Sequence, residues 1–332
     1  MTKTFMILLL ILVILLLFFI YIFFIAKAPE QKNITWGVNF SQAQVEFLKL
    51  DWQKAYLAVL EDLGAKNIKL ITNWDWIEGK KGSYYFDDID WQIEQAQKNK
   101  AKIIYVVGMK TGRWPECHLP GWANNLSKKE QQETLLEYIK EVVLRYKDSN
   151  VIVAWQAENE PFFDFGECPW YDEDFVAKEV NLIKSLDSSR PVIVSDAGEQ
   201  SLWFKPAKIG DIVGTTLYRK VWVHITDDFG FHLASPLAPN SYWIKAQIIK
   251  KLFGKKVINV ELQAEPWFPD IFKEMSLPQQ EKLMSVAQFR KNIDYAKQTG
   301  LDEFYLWGTE WWYWLKEVHN KPEIWNEAKK LF

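Results

Sequence analysis

The chain has 332 residues, 48% hydrophobic and 25% charged, an ordinary globular balance that suffices for one large α/β barrel or two smaller domains. Its formal net charge is −3 and no Lys/Arg block stands out, so nucleic acid is not expected as a partner. It carries 18 Trp, 13 Tyr and 21 Phe, more flat aromatic surface than a core of this size requires; most should be packing residues, and the rest suit a ligand cleft of mixed apolar and polar lining.

The first predicted element stands apart from the others. Phe5 to Ala26 is an uncharged run rich in Leu, Ile and Phe, long enough as a helix to cross a hydrocarbon layer of roughly 30 Å. Residues 1–28 therefore read as an uncleaved, single-pass membrane anchor that meets the bilayer through residues 5–26, with 29–35 as a short tether. A cleaved signal peptide is the alternative, because Ala26-Lys27-Ala28 weakly resembles a small-x-small site. Lys3 on one flank and Lys27 and Lys32 on the other give no orientation by charge. A lone N-terminal span ahead of a soluble domain is commonly a signal anchor, which places the bulk of the chain outside the cytoplasm.

From residue 36 to 332, short apolar runs alternate with amphipathic ones. The predicted strands are Gly37–Phe40, Ile68–Thr72, Ile103–Val107, Ile152–Gln156, Val192–Ser195, Ile212–Leu217, Val257–Val260 and Glu303–Leu306. Helices fill the gaps. Asp51–Leu63 stops at Gly64, Ser127-Lys-Lys-Glu130 is a capping box opening a run to about Tyr146, Gly254 and Gly300 close two later helices, and Pro322 opens the last. Near-continuous apolar strands followed by helices imply a parallel sheet covered on its outer face, and eight such units fit a (β/α)8 TIM barrel. A doubly wound open sheet is the competitor, but no G-x-G-x-x-G or phosphate-loop pattern follows an early strand. Without a repeat or linker after the anchor, one domain over 36–332 is the economical reading.

In a barrel of this kind the working groups sit at the carboxyl ends of the strands. Strand four ends in Asn159-Glu160-Pro161, strand six in Tyr218-Arg219, strand seven in Glu261 and strand eight in Trp307. Two glutamates from two buried strands are what glycosidic bond cleavage needs, one to protonate the leaving oxygen and one to attack the sugar or activate water. Trp74-Asp-Trp76-Ile-Glu78 after strand two and Arg113-Trp114-Pro-Glu-Cys-His118 after strand three are placed to line the same cleft, or to be packed loop. Of these, Trp74 and Trp114 are the candidates for sugar contact. His118 reads as a loop hydrogen-bonder, since no second histidine or cysteine pair sits at zinc spacing, and no metal or organic cofactor is expected. Cys117 and Cys168 could bridge two cleft loops or stay as free thiols. The stretch from Lys220 to Asn240, with Trp222, His224, Phe229 and His232, is a candidate lid.

From Trp36 to Phe332 the chain resembles the clan A glycoside hydrolases, retaining enzymes on a (β/α)8 barrel that include cellulases, mannanases and β-galactosidases. Asn159-Glu160-Pro161 closing strand four, the strand-seven glutamate and the strand-eight tryptophan carry the resemblance. It implies that Glu160 is the acid/base, Asn159 a contact to the sugar 2-hydroxyl, Glu261 the nucleophile, Tyr218 a hydroxyl donor to it and Trp307 the platform under the sugar. Glu158 would share a side with Glu160 on a continuing strand, and Asn159 and Pro161 favour Glu160. Glu265 competes with Glu261, which directly follows the apolar run, and is left to support substrate. Where these enzymes often carry a strand-two arginine that orients the nucleophile, this chain has Lys69, which keeps the charge but loses the rigid fork. The expected activity is double-displacement hydrolysis of β-linked oligo- or polysaccharide. A non-catalytic sugar-binding barrel, or a transglycosylase using the same pair, is the alternative.

Overall fold

Apolar runs with no polar alternation become strands buried on both faces, and here eight of them close on themselves. The computed structural model describes residues 3–226, 229–267 and 275–332. The strands are β1 (Thr35–Ser41), β2 (Asn67–Ile71), β3 (Lys102–Val107), β4 (Ile152–Ala157), β5 (Val192–Asp196), β6 (Ile212–Leu217), β7 (Lys220–Thr226), β8 (Phe229–Ala234), β9 (Lys256–Gln263) and β10 (Glu303–Trp307). All but β7 and β8 form a closed parallel barrel in the order β1-β10-β9-β6-β5-β4-β3-β2, closed by β1 against both β10 and β2. This is the TIM-barrel fold expected from the sequence. All eight expected strands are present with small shifts at their ends; β9 extends farthest, to Gln263.

The barrel interior is filled by side chains. Ile104, Ala154, Ile193, Ile258, Val260 and Tyr305 form one buried cluster inside it, and Ile71, Val106 and Trp307 form a second at the carboxyl ends of their strands. Gly37 makes room for this filling, since a Cβ there would lie 2.6 Å from the Tyr305 ring. The outer strand faces bury against the helical shell, where Trp155, Tyr105, Tyr138, Trp311 and Trp325 belong to one continuous core. Much of the aromatic content is therefore packing.

Helix ends follow the local signals. Ser127 and Glu130 make both halves of the capping box on the helix Lys128–Tyr146. The helix after β1 is α-helical over Trp52–Leu57 and turns π-helical over Ala58–Asp62 before Gly64, which sits at φ +82°. Gly254 ends the helix Asn240–Phe253 at φ +69°, a left-handed geometry that glycine adopts without strain.

The N-terminal helix runs over Lys3–Ile20 and continues as a π-helical turn, Tyr21–Ile25, with no buried residue in its α-helical part. The span Lys3–Phe23 is long and apolar enough to cross a membrane. The expected tether, 29–35, is bonded to the barrel, Gln31 Nε2 donating to Gly300 O at 3.1 Å and Thr35 N to Asp302 O at 2.8 Å, and within the expected anchor Ile22 O accepts from Asn240 Nδ2 at 2.6 Å. The stretch Lys220–Asn240 forms an antiparallel hairpin of β7 and β8, inserted after β6. Residues 227–228 and the side chains at 224–229, including His224 and Phe229 of the candidate lid, lie outside what the structure describes.

Candidate active site

The carboxyl ends of β2, β4, β6, β9 and β10 converge on one group of polar side chains. Lys69 on β2 is fully buried, and its ammonium donates to Glu261 Oε1 at 2.8 Å and to Asn159 Oδ1 at 3.2 Å. Tyr218, just past β6, donates its hydroxyl to Glu261 Oε2 at 2.9 Å. Both oxygens of Glu261 therefore have a donor, one of them cationic, so the carboxylate is fixed in direction. Lysine supplies the charge where the resemblance implied arginine. Tyr218 is itself held, because its backbone N–H donates to Glu199 Oε1, which also accepts from Tyr242.

Glu160 lies opposite in character. Thr216 on β6 donates to its Oε1 at 2.9 Å, and its backbone N–H donates to Ser195 Oγ at 2.9 Å. Burial, and next the negative charge of Glu261, push its pKa up to about 8, against the pull of the Thr216 hydrogen bond. Glu160 thus carries a proton at neutral pH and shares one electrostatic field with Glu261. Tyr218 feels both carboxylates and is raised well above the usual phenol range, chiefly by burial.

The backbone separates Glu158 from Glu160. Strand β4 stops at Ala157, and Glu158 and Glu160 both take positive φ, 59° and 45°, so the two-residue alternation of a strand does not extend to them. Glu158 turns away: its Oε1 accepts Met109 N at 2.8 Å and its Oε2 accepts Lys110 N. Gly108 leaves room for it, since a Cβ there would lie 2.5 Å from Glu158 Oε1. Beside it Glu179 is fully buried, and burial, followed by the Glu158 charge, raises its pKa well above the usual carboxylate range. Glu158 therefore belongs to a buried acid pair that fixes the β4 loop to the β3 loop.

The second doubtful glutamate also has a defined place. Glu265 lies past the end of β9 and pairs with Arg113 Nη1, while Arg113 Nη2 donates to Glu310 Oε2 at 2.5 Å. The guanidinium carbon lies 4.2 Å from the ring centre of Trp307. Glu310 Oε1 accepts Ser41 N at 2.6 Å, tying this buried triad to β1. Glu265 thus braces the Trp307 ring through Arg113, a cation held between two carboxylates.

Two tryptophans part company. Trp74 is 0% exposed, stacked on Tyr138 and edge-on to Trp122, with its Nε1 donating to Glu78 Oε2 at 2.7 Å. The expectation that it lines the cleft is overturned: residues 74–77 form a short helical turn that directs this indole into the shell. Trp114 is 61% exposed, with its ring 6.2 Å from that of Phe165 on the neighbouring loop. A disulfide joins Cys117 and Cys168, with Cα atoms 5.1 Å apart, and pins the loops after β3 and β4 together. His118 Nε2 lies 3.0 Å from Gly112 O. Among the described residues no group of three or more His, Cys, Asp or Glu stands where it could hold a metal ion.

Glu116 lies inside the run that the sequence marks for the cleft, yet nothing there assigns it a role. It is buried, and burial followed by the Glu261 charge push its pKa up to about 7, against a lowering by the Asn159 side chain. Thr216 was also missed, although as a polar residue inside an apolar strand it was a readable signal. A cavity of ≈ 290 Å³ opens at the ends of β1 and β2, lined by Gln42, Thr72, Asn73, Trp76, Tyr85 and Asp88 among others. Its wall residue Ile71 also packs with Trp307.

Residues 26–196 match the profile described as Glycosyl hydrolase family 10. The chain is 39% identical over 120 residues to a probable mannan endo-1,4-beta-mannosidase A-1 of Aspergillus terreus, covering 33% of this chain and 30% of that protein. It is 24% identical over 181 residues to endo-1,4-beta-xylanase 3 of Hypocrea jecorina, covering 52% of this chain and 49% of that one. The chain thus spans half or less of the length of these curated relatives. Among solved structures, xylanase 10B of Thermotoga maritima superposes with a TM-score of 0.58 at 17% identity, over 90% of this chain and 95% of that one. A β-galactosidase of Rahnella sp. R3 gives 0.61 at 12% identity, over 92% and 57%. These structures share the barrel.

Proposed function

The chain belongs to glycosyl hydrolase family 10, and on that premise we propose that it is a retaining β-glycosidase with Glu160 as acid/base and Glu261 as nucleophile. The observation that carries the reading is the contrast between the two carboxyl groups. Glu261 is gripped by Lys69 and Tyr218, whereas Glu160, beside the Glu261 charge, has its pKa pushed up to about 8.

The chemistry follows from that contrast. In the first step Glu160 gives its proton to the glycosidic oxygen while a Glu261 oxygen attacks the anomeric carbon, and the leaving sugar departs as an alcohol. The charge on Glu261 is then lost in the ester. The field that held the Glu160 proton falls, so Glu160 as carboxylate can take a proton from the attacking water. That water releases the sugar with its original anomeric configuration. Trp307 offers a flat face to the bound ring, Asn159 reaches the 2-hydroxyl, and Trp114 forms part of the aromatic rim. The cavity at the ends of β1 and β2 leaves room for a neighbouring sugar unit.

The curated relatives are named for xylan and mannan backbones joined through β-1,4 links, and a β-linked oligo- or polysaccharide is the proposed substrate class. Residues 1–28 are assigned as a membrane anchor entering the bilayer through 5–26, and 36–332 as the catalytic domain outside the cytoplasm.

The test uses Glu160→Ala and Glu261→Ala against a panel of aryl β-glycosides. Each should lose at least about 10³-fold in turnover of unactivated substrates. Azide should restore Glu160→Ala with a β-glycosyl azide as product, and Glu261→Ala with the α-anomer. Undiminished turnover in either variant refutes the assignment.

A further inference from the structure

The hairpin of β7 and β8 supplies no group to the proposed reaction, and its two faces differ. Its register pairs Val221 with Leu233, Trp222 with His232 and Val223 with Phe231. Side chains alternate across the pleat, so Val221, Val223, Phe231 and Leu233 share one face, and Trp222 and His232 share the other. The second face is engaged: the Trp222 and His232 rings meet edge-on at 5.0 Å, and His232 Nε2 lies 3.0 Å from Trp267 O. The four residues of the first face are all apolar, with Phe231 and Leu233 each 44% exposed and Val221 and Val223 half-buried.

The chain leaving this hairpin leads directly to the end of the N-terminal apolar helix. The hairpin ends at Ala234, and shortly after it Asn240 donates to Ile22 O at 2.6 Å, next to the end of the span at Phe23. The turn Tyr21–Ile25 packs along the helix that Asn240 opens. The end of the span therefore lies against the start of the helix that follows the hairpin.

We propose that the face formed by Val221, Val223, Phe231 and Leu233 is a second membrane contact, lying in the interfacial layer beside the anchor. Four apolar side chains on a two-stranded ribbon make a weak membrane ligand alone, but the anchor supplies a high local concentration of bilayer. The consequence for the proposed enzyme is orientation. Gln263, the last residue of β9, accepts from the N–H groups of Arg219 and Lys220 and donates to Lys220 O. The hairpin is thus bolted to the strand that carries Glu261, and its contact with lipid holds the mouth of the cleft next to the bilayer surface.

This inference rests on the reading of residues 5–26 as a span, and the experiment separates the two. The full-length chain carries one added cysteine, Phe231→Cys, Leu12→Cys or Lys129→Cys, and a nitroxide label, in phosphatidylcholine nanodiscs. A zwitterionic lipid is used because the connecting residues Asp227 and Asp228 are acidic. Collision with oxygen, which concentrates in lipid, is compared with collision with a water-soluble nickel chelate. Position 231 should resemble 12, favouring oxygen, while the exposed barrel position 129 favours nickel. If 231 behaves like 129 while 12 favours oxygen, the hairpin contact is wrong and the anchor stands. If 12 also favours nickel, the span reading fails and takes the hairpin contact with it. Shielding of 231 from both reagents would mean that protein, a second copy or another segment, covers this face, and would likewise overturn the proposal.

Discussion

At the scale of single residues, the proposed catalysis turns on how Glu160 holds a proton. Its pKa of about 8 reflects burial and the Glu261 charge, with Thr216 pulling the other way. The acid form is the working one, so kcat/KM should fall as pH rises through about 8. Thr216→Val removes a donor to the carboxylate, raises the pKa further and should move the alkaline limb to higher pH, as a pH profile of kcat/KM will show. A limb that stays in place or moves down would mean that another group titrates there. The sequence could single out Asn159, Glu160, Tyr218, Glu261 and Trp307 because each lies at or within three residues of the end of an apolar run. Glu116 was not legible. It sits in a loop where Arg113 and Glu116 both take positive φ, 65° and 75°, and no periodicity tells where such a loop points. Trp74 misled for the related reason that a single helical turn after β2 reverses its direction.

At the scale of elements, the site depends on loops fixed from outside the strands. The Cys117–Cys168 bridge closes a loop across a sequence separation of 51 and joins the segments bearing Glu116 and Glu160. Replacing both cysteines with serine should cost about 2–4 kcal/mol of stability, measured by denaturant unfolding. Because Arg113 and Glu116 lie on the loosened segment, KM should rise in the same variant while the barrel keeps its circular dichroism. Loss of stability with unchanged KM would show that the bridge serves the fold alone. The sequence left bridge and free thiols open, since spacing gives no distance between two loops. The hairpin was readable only as a long insertion: Lys220–Thr226 does alternate, but β-branched and aromatic residues fill both faces, and the pattern does not announce which face is covered.

At the scale of the whole molecule, closure of the barrel is what brings β4 and β9 to one pocket. Strand number and order were legible because each strand is an apolar run bounded by helix signals, and eight parallel units leave few other ways to bury both faces. The route of residues 22–35 down the outside of the barrel was not legible, because it rests on isolated polar contacts such as Asn240 to Ile22. The family match ends at residue 196, within the first five strands of the barrel, so the proposed nucleophile on β9 stands on geometry beyond it. The most direct test is therefore to trap the covalent intermediate. Wild-type protein is incubated with activated 2-deoxy-2-fluoro β-glycosides of xylose, glucose, mannose and galactose, digested, and mapped by mass spectrometry. The account predicts one glycosyl ester, on Glu261, formed with the sugar whose ordinary aryl glycoside the protein turns over. An ester on Glu116, Glu160 or Glu265, or turnover with inverted product and no ester, would contradict it.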